Sequence, residues 1–331
     1  MKIAVDAMGG DHAPRVVVEG MSLAVKHGLD PERLMLVGRQ EAVEPLLREF
    51  ELENSIQLLH AAQVIEMHES PAAAMRSKTE ASIVVGMKVV KSGQAAGFVS
   101  AGNTGAVVAA AQVILGRLPD VARPGIAVPV PTREGPCTVI DVGANIYCKA
   151  VHLQQYAVMA SEYAKANFNR TDPVVGLLNI GAEEGKGNPL ILEAHDLLQG
   201  TDVNYKGFIE GQDIMSGAVD VVVCEGFVGN VILKVAEGLA TFVSEQVHAA
   251  FAAQPPRPEV KNALGVAFSQ LDYAEYGGAP LLGVAAPVLI GHGRSSPHAI
   301  MNMVKAATNA VDYDVTRRIT DRLSGSEKTV S

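Results

Sequence analysis

The sequence predicts a Rossmann-like, doubly wound α/β fold with a mostly parallel sheet, and three observations carry that expectation. Short apolar runs alternate along the chain with longer stretches whose apolar residues recur at helical spacing. Several of the apolar runs end in a glycine-rich loop that leads into the next helical stretch. At 331 residues the chain is long enough to bury a large core in one or two domains.

Eight strands are predicted in order, at 3–5, 34–37, 56–59, 96–99, 138–141, 174–179, 219–224 and 288–290, each a short apolar run of the kind that buries in a sheet. Helices fill much of the rest, with clear helical spacing over 16–26 and 152–167. One region differs. Ile232, Val235, Leu239, Phe242, Val243, Val247 and Ala250 fall on one helical stripe. Pro255, Pro256 and Pro258 then break the chain, and Val260, Ala263, Leu264, Ala267, Phe268 and Leu271 resume the spacing. Two antiparallel helices joined by a proline turn are therefore predicted over 231–272. Core packing accounts for such a stripe; so does a projecting arm that mediates dimerisation or touches a membrane. The chain reads as one α/β unit over 1–324, with lobes of 1–95 plus 275–324 and of 96–274. A polar tail at 325–331 is expected to fray.

Composition narrows the function. Hydrophobic residues make up 48% of the chain, which excludes global disorder. Aromatic content of 5%, with no Trp, offers no base-stacking platform, and a net charge of −9 argues against general nucleic-acid binding. Cys137, Cys148 and Cys224 lack metal-ligand spacing and fit a reducing cytoplasm. Cys148 reads as a small buried hydrophobe or as a catalytic thiol. No signal pattern opens the chain and no apolar run reaches transmembrane length, so a soluble or at most peripherally attached protein is expected.

The first loop, Asp6-Ala7-Met8-Gly9-Gly10-Asp11-His12-Ala13-Pro14, holds two carboxylates before its histidine and admits two readings. It is a turn capped by Asp11, with Pro14 opening a helix, or a ligand loop whose glycines let a substrate approach the main chain. Comparable loops follow at 100–105, 141–145, 225–230 and 291–296. In a doubly wound sheet, loops at the carboxyl ends of the strands surround the ligand crevice, and their N–H groups with helix N-termini favour anions. A phosphate cradle is the expectation. P-loop, dinucleotide and Gly-x-Ser-x-Gly patterns are all absent. Asp6, Asp11 and Asp141 could bind Mg²⁺ or serve as caps; no clustered metal spacing supports the former, and no metal site is predicted. Lys186, set between Gly185 and Gly187, is the leading phosphate cation. Arg76 with Lys78, and Arg294 beside Ser295, are the others. Asn103, Asn145 and Asn230 take equivalent places in their loops, as helix caps or as amides that steady a carbonyl oxygen.

Six segments, taken in order, resemble the bacterial phosphate acyltransferases of phospholipid synthesis, the PlsX family. They are Asp6 to Pro14, Ser100 to Ala106, Asp141 to Asn145, Leu177 to Gly181, Asp220 to Lys234, and Tyr276 to Gly283. The resemblance implies a fold similar to isocitrate and isopropylmalate dehydrogenases and phosphotransacetylases. It implies acyl transfer from acyl carrier protein to inorganic phosphate, without metal or organic cofactor. It also implies a cytoplasmic homodimer attached peripherally to the inner face of the membrane, near the glycerol-3-phosphate acyltransferase that uses the product. On this basis Lys186, Asn103, Asn145, Asp6 and His12 are the candidate catalytic residues. Gly9, Gly10, Asp11, Lys78, Ser100, Gly102, Thr104, Gly105, Asn230, Arg294 and Ser295 are the candidate phosphate-binding residues. Some positions depart from the family pattern: Glu225 replaces the usual Asp, Ala150 the usual Pro, and Arg294 is unexpected in its loop. The arm is less basic than usual, with Glu259 offsetting Arg257 and Lys261, so membrane contact is expected through apolar insertion. Arg117, Arg123 and Arg133, close in sequence, are the expected docking patch for the acidic carrier. A phosphotransacetylase acting on acyl-CoA, a nicotinamide-dependent dehydrogenase and a membrane-bound scaffold are the competing readings.

Overall fold

Short runs that are apolar throughout, such as 34–37, 221–223 and 288–290, cannot face water on either side, and here they become buried strands. The computed structural model describes residues 1–251, 257–270 and 276–326. The first part contains β1 (Ile3–Asp6), α1 (Arg15–Lys26), β2 (Leu34–Gly38), α2 (Gln40–Glu49), β3 (Gln57–His60), α3 (Pro71–Ser77), α4 (Ser82–Lys91), β4 (Gly97–Ser100) and α5 (Thr104–Ala110). The middle contains β5 (Gly125–Thr132), β6 (Gly135–Ile140), α6 (Ala150–Phe168), β7 (Val174–Leu178), α7 (Pro189–Gln199), β8 (Asn204–Ile209), β9 (Val221–Val223), α8 (Gly226–Ala250) and α9 (Pro258–Gln270). The chain returns through β10 (Ala279–Leu282), β11 (Val288–Ile290), α10 (Pro297–Asp312) and α11 (Val315–Ser326).

All the strands join one sheet of 11 strands in the order β3-β2-β1-β4-β11-β10-β5-β6-β9-β7-β8. Side chains alternate between its faces. Ile3 and Val5 pack with residues of α1 and α10, whereas Ala4 packs with Ile83 and Met87 of α4. In the second half, α6 buries Leu153, Tyr156 and Tyr163 against Val175, Leu177, Val221 and Val223. β4 opens the 96–274 segment in sequence, yet it pairs with β1 and β11.

The eight expected strands all form, within a few residues of their expected bounds. β5, β8 and β10 are additional. Pro129 and Pro131 hide β5, because proline cannot donate to a ladder. β10 reaches only Gly125 and Ile126, so most of β5 has β6 as its single partner, and a missing donor is tolerated there. β8 is an edge strand with Lys206 and Gly207 in its middle, which breaks the apolar pattern. Asp11 does not cap α1; the helix opens at Arg15 with Pro14 at its N-cap and no side-chain cap.

The predicted arm is present, although α8 starts at Gly226 rather than near 231. Only its root meets the body. A Cβ on Gly229 would collide with the Asp141 carbonyl and lie 3.0 Å from the Cys224 sulfur, so this crossing requires glycine. Beyond the root, Val231, Val235, Leu239, Phe242 and Val243 are exposed. α9 folds back along α8, with the Phe268 ring stacked on His248 at 6.4 Å between centroids. Pro255, Pro256 and Leu271, the rest of the expected turn and arm, lie outside the described residues, as does most of the tail. One expectation is corrected: by length and composition the 25-residue α8 is long and apolar enough to cross a membrane.

Gly229→Ala is expected to lower stability by about 1–3 kcal/mol through overpacking. Gly238→Ala lies in the same helix with nothing within 4 Å of its Cβ position. It is expected to raise stability by up to about 1 kcal/mol through helix propensity. Denaturant unfolding of both variants checks the pair, and equal shifts would rule out the tight crossing.

Candidate active site

Strand direction decides which loops can meet. From β3 to β8 the sheet has seven parallel junctions and three antiparallel ones, the latter at β11/β10, β10/β5 and β5/β6. Three reversals leave β6, β9 and β7 running opposite to β1, β4 and β11. The loops Asp6–His12, 100–105 and 291–296 therefore sit at one edge of the sheet. Asp141–Asn145, the root of α8 and the Asn179–Lys186 loop sit at the other. The single crevice expected from the sequence is two constellations within one chain.

At the first edge, Asp6 is buried at the end of β1. Its carboxylate accepts from the Met8 amide at 3.0 Å and the Ser100 hydroxyl at 2.7 Å, and Ser100 Oγ accepts from the Gly102 amide at 3.0 Å. Burial pushes the Asp6 carboxyl up from its ordinary value, while hydrogen bonds from Ser82, Ser100, Met8 and Gly9 pull it back. A side chain on Gly9 would strike Asp6, Ser100 and the Gly102 amide, so only glycine fits this turn. The Asp11 amide donates to the Gly293 carbonyl at 2.7 Å, which ties the first loop to the last.

Asn103 caps α5 by accepting from the Ala106 amide. Its Nδ2 donates to the carbonyls of Glu66, Met67 and Glu69, each at 3.1 Å, and so clamps the segment before α3. Lys78 staples the same segment, donating to the Val64 carbonyl at 2.7 Å and to Glu69 at 2.6 Å. This bond holds the Glu69 carboxyl below its usual range. Ser295 Oγ donates to the His292 carbonyl at 2.7 Å. His12, Thr104, Gly105 and Arg294 are exposed on the rim.

At the second edge, Asp141 is fully buried. Oδ1 accepts from the amides of Ile126, Gly143 and Ala144, and Oδ2 from the Asn145 amide at 2.7 Å. Burial raises this carboxyl too, against the amides that bond it. Asn145 Nδ2 donates to the Pro124 carbonyl at 2.7 Å and the Tyr156 hydroxyl at 2.8 Å. Asn230 lies in the first turn of α8, which Glu225 caps, and its side chain passes close to Gly143. The three asparagines are thus not equivalent: one is an N-cap, one lies in a loop and one is inside a helix. Lys186 pairs with Glu183 at 2.7 Å, and its carbonyl accepts from Asn179 Nδ2 at 2.8 Å. The thiols of Cys148 and Cys224 are pushed up by burial.

The arginines expected to form one patch are dispersed. Arg117 donates to the Val121 and Ala122 carbonyls of its own loop. β5 separates Arg123 from Arg133 by eight residues, about 26 Å of strand. Tyr156, Pro124 and Glu69 were missed as site partners, because nothing in a linear sequence pairs the first two with Asn145 or the third with Lys78 and Asn103.

A family model described as fatty acid synthesis protein matches residues 1–318. The chain belongs to that family. Among curated family relatives, a phosphate acyltransferase from Dictyoglomus thermophilum is 42% identical over 335 residues, 98% of each chain. One from Moorella thermoacetica is 44% identical over 332 residues, covering 99% of this chain and 97% of its own. The resemblance read from the six segments holds over nearly the whole length, and the chain is an acyltransferase. A phosphotransacetylase from Streptococcus pyogenes has the same fold, with a TM-score of 0.66, 19% identity and 94% of both chains covered.

Asn103→Ala is expected to leave the fold intact and to free the 66–69 segment. Limited proteolysis should then cut there faster than in the wild type, and an unchanged rate would mean that Lys78 alone holds it.

Proposed function

We propose that this chain transfers a fatty acyl group from acyl carrier protein to inorganic phosphate, forming an acyl phosphate for phospholipid synthesis. One observation carries direct attack by phosphate. Among the described residues neither edge offers an activated protein nucleophile: Cys137 and Cys224 are buried, burial pushes the Cys148 thiol up, and no serine hydroxyl in the strand-end loops bonds a histidine ring, Ser295 being bonded to the His292 main-chain carbonyl. A phosphate oxygen adds to the thioester carbonyl carbon and the C–S bond breaks. The pantetheine sulfur leaves as a thiolate and takes a proton from solvent. Phosphate is already an anion, so orientation is the main demand, worth up to about 7–11 kcal/mol in favourable cases.

Lys186 is the phosphate ligand in this scheme, exchanging Glu183 for the substrate. Asn145, Asn103, Asp6, Lys78, Ser100 and Ser295 act by holding loops, since their polar atoms are committed to protein partners. Gly9, Gly10, Asp11, His12, Gly102, Thr104, Gly105 and Arg294 form an anion cradle at the first edge, and Asn230 flanks the second. A homodimer gives both edges a common purpose. The exposed α8 seam is rooted in the second edge, and a second copy lying along it brings first-edge groups to the same centre. The same apolar arm supports peripheral attachment to the inner face of the membrane, alongside the acyltransferase that consumes the product.

The deciding assay supplies long-chain acyl carrier protein with and without phosphate and traps acyl phosphate with hydroxylamine. Phosphate-dependent hydroxamate is expected from the carrier donor; product from acyl-CoA alone would favour a phosphotransacetylase. Lys186→Ala is expected to lose about 100-fold in kcat/KM while remaining folded. Mixed dimers of His12→Ala and Lys186→Ala chains are expected to regain activity that neither parent has. Mixed dimers without recovery would confine each centre to one chain.

A further inference from the structure

The rim of the second edge exposes apolar and cationic side chains beside the Asn145 loop. Ile146 and Tyr147 follow Asn145 directly and are 61% and 92% exposed. Apolar side chains that stand this far out of a rigidly tethered loop are unusual unless something covers them. The tethering is firm, because the loop hangs from buried Asp141 and from the Asn145 bonds to Pro124 and Tyr156.

Two cations belong to the same loop region. Lys149 ends the loop and is exposed. Arg123 is exposed next to Pro124, whose carbonyl takes the Asn145 hydrogen bond. Both cations act on His152 in the first turn of α6, where burial chiefly, then Arg123 and Lys149, push the imidazole down from its usual value. One ring is therefore within electrostatic reach of both. Neither cation forms an ion pair among the described residues, so both charges are open to a partner. The nearest acids in sequence are Asp120 and Asp141, the latter buried with its carboxylate taken by backbone amides, and across the loop the Glu225 carboxylate is committed to the Phe227 amide at the cap of α8. In a chain of net charge −9, two unpaired cations with an exposed apolar pair form a locally complementary surface for an acidic partner.

We infer that Arg123 and Lys149, together with Ile146 and Tyr147, form the docking surface for an acidic, helical carrier protein that delivers the thioester to the Asn145 loop. This rests on the carrier-donor function proposed above. An amphipathic acidic helix meets both parts of the surface: its carboxylates face the cations and its apolar residues cover Ile146 and Tyr147. Arg117 and Arg133 take no part.

The test compares two donors on one enzyme, acyl carrier protein and the corresponding acyl-pantetheine, which carries the same thioester without the protein. With Arg123→Glu/Lys149→Glu, KM for the carrier donor is expected to rise about tenfold at low salt with kcat nearly unchanged. Acyl-pantetheine kinetics should not move. Wild-type kcat/KM for the carrier donor should fall with added salt more steeply than that of the variant. Tyr147→Ser, which removes apolar area without changing charge, is expected to raise carrier KM without altering the salt slope. A wild type active on acyl carrier protein and a charge-reversed variant with unchanged KM would overturn the docking surface alone. Equal losses with both donors would make these residues substrate contacts rather than protein contacts. A variant that changes oligomeric state by light scattering would assign the patch to contact between copies. A wild type inactive on the carrier donor would remove the underlying function, and the docking surface with it.

Discussion

The buried carboxylate of Asp141 is the group on which the second half of the molecule depends. One side chain gathers four backbone amides, from the start of β5 and from three successive residues of its own loop. A carboxylate with no exposure is costly unless its oxygens are occupied, and bonds from amides to a charged acceptor are among the stronger ones. The Asp141 main-chain carbonyl also forms the surface against which Gly229 lies. Strand start, loop and helix root thus share one anchor. Asp6 repeats the arrangement at the other edge, again bonding the amide two residues ahead of itself, an aspartate turn that fixes the loop as it leaves the strand.

With loops held this firmly, chemistry by placement is the mode the scaffold favours. The thiols are pushed up by burial, and the amides of Asn103 and Asn145 donate to backbone carbonyls. The groups left free on the rims, His12, Thr104, Asn230 and Arg294, are suited to binding anions and moving protons. Lys186 stands between the two kinds, a cation paired with an exposed carboxylate in a contact that water weakens.

What was legible in the sequence followed from periodicity. The runs that became β1, β2, β4 and β11 are apolar throughout because helices cover both their faces, and α6 announces itself over four turns. β5, β8 and β10 were illegible because Pro129, Pro131, Lys206, Gly207 and Pro280 interrupt them, and each is tolerated only by its place in the sheet. Those omissions had consequences beyond the count. β10 and β5 take part in all three reversals, so without them every loop seemed to share one edge. The motifs were found, but the roles of their residues were not. Asn103, Asn145 and Asn230 look alike in sequence and differ in structure, because a cap, a loop and a helix turn are told apart by main-chain path. Glu183 was visible three residues before Lys186; Glu69 and Val64 as partners of Lys78 were not.

α8 is about 37 Å long at 1.5 Å per residue, and it is seated by its first two turns, where Gly226 and Gly229 are buried and Ile232 and Leu233 pack against the core. At that seat, glycine brings the helix axis against the main chain of the residue that organises the Asn145 loop, with no side chain between them to absorb movement. The arm therefore works as a lever with a short inner end. A tilt of several ångströms at its tip, imposed by whatever the apolar seam rests on, reaches the loop as a displacement of a fraction of an ångström, the scale on which placement-based catalysis is sensitive.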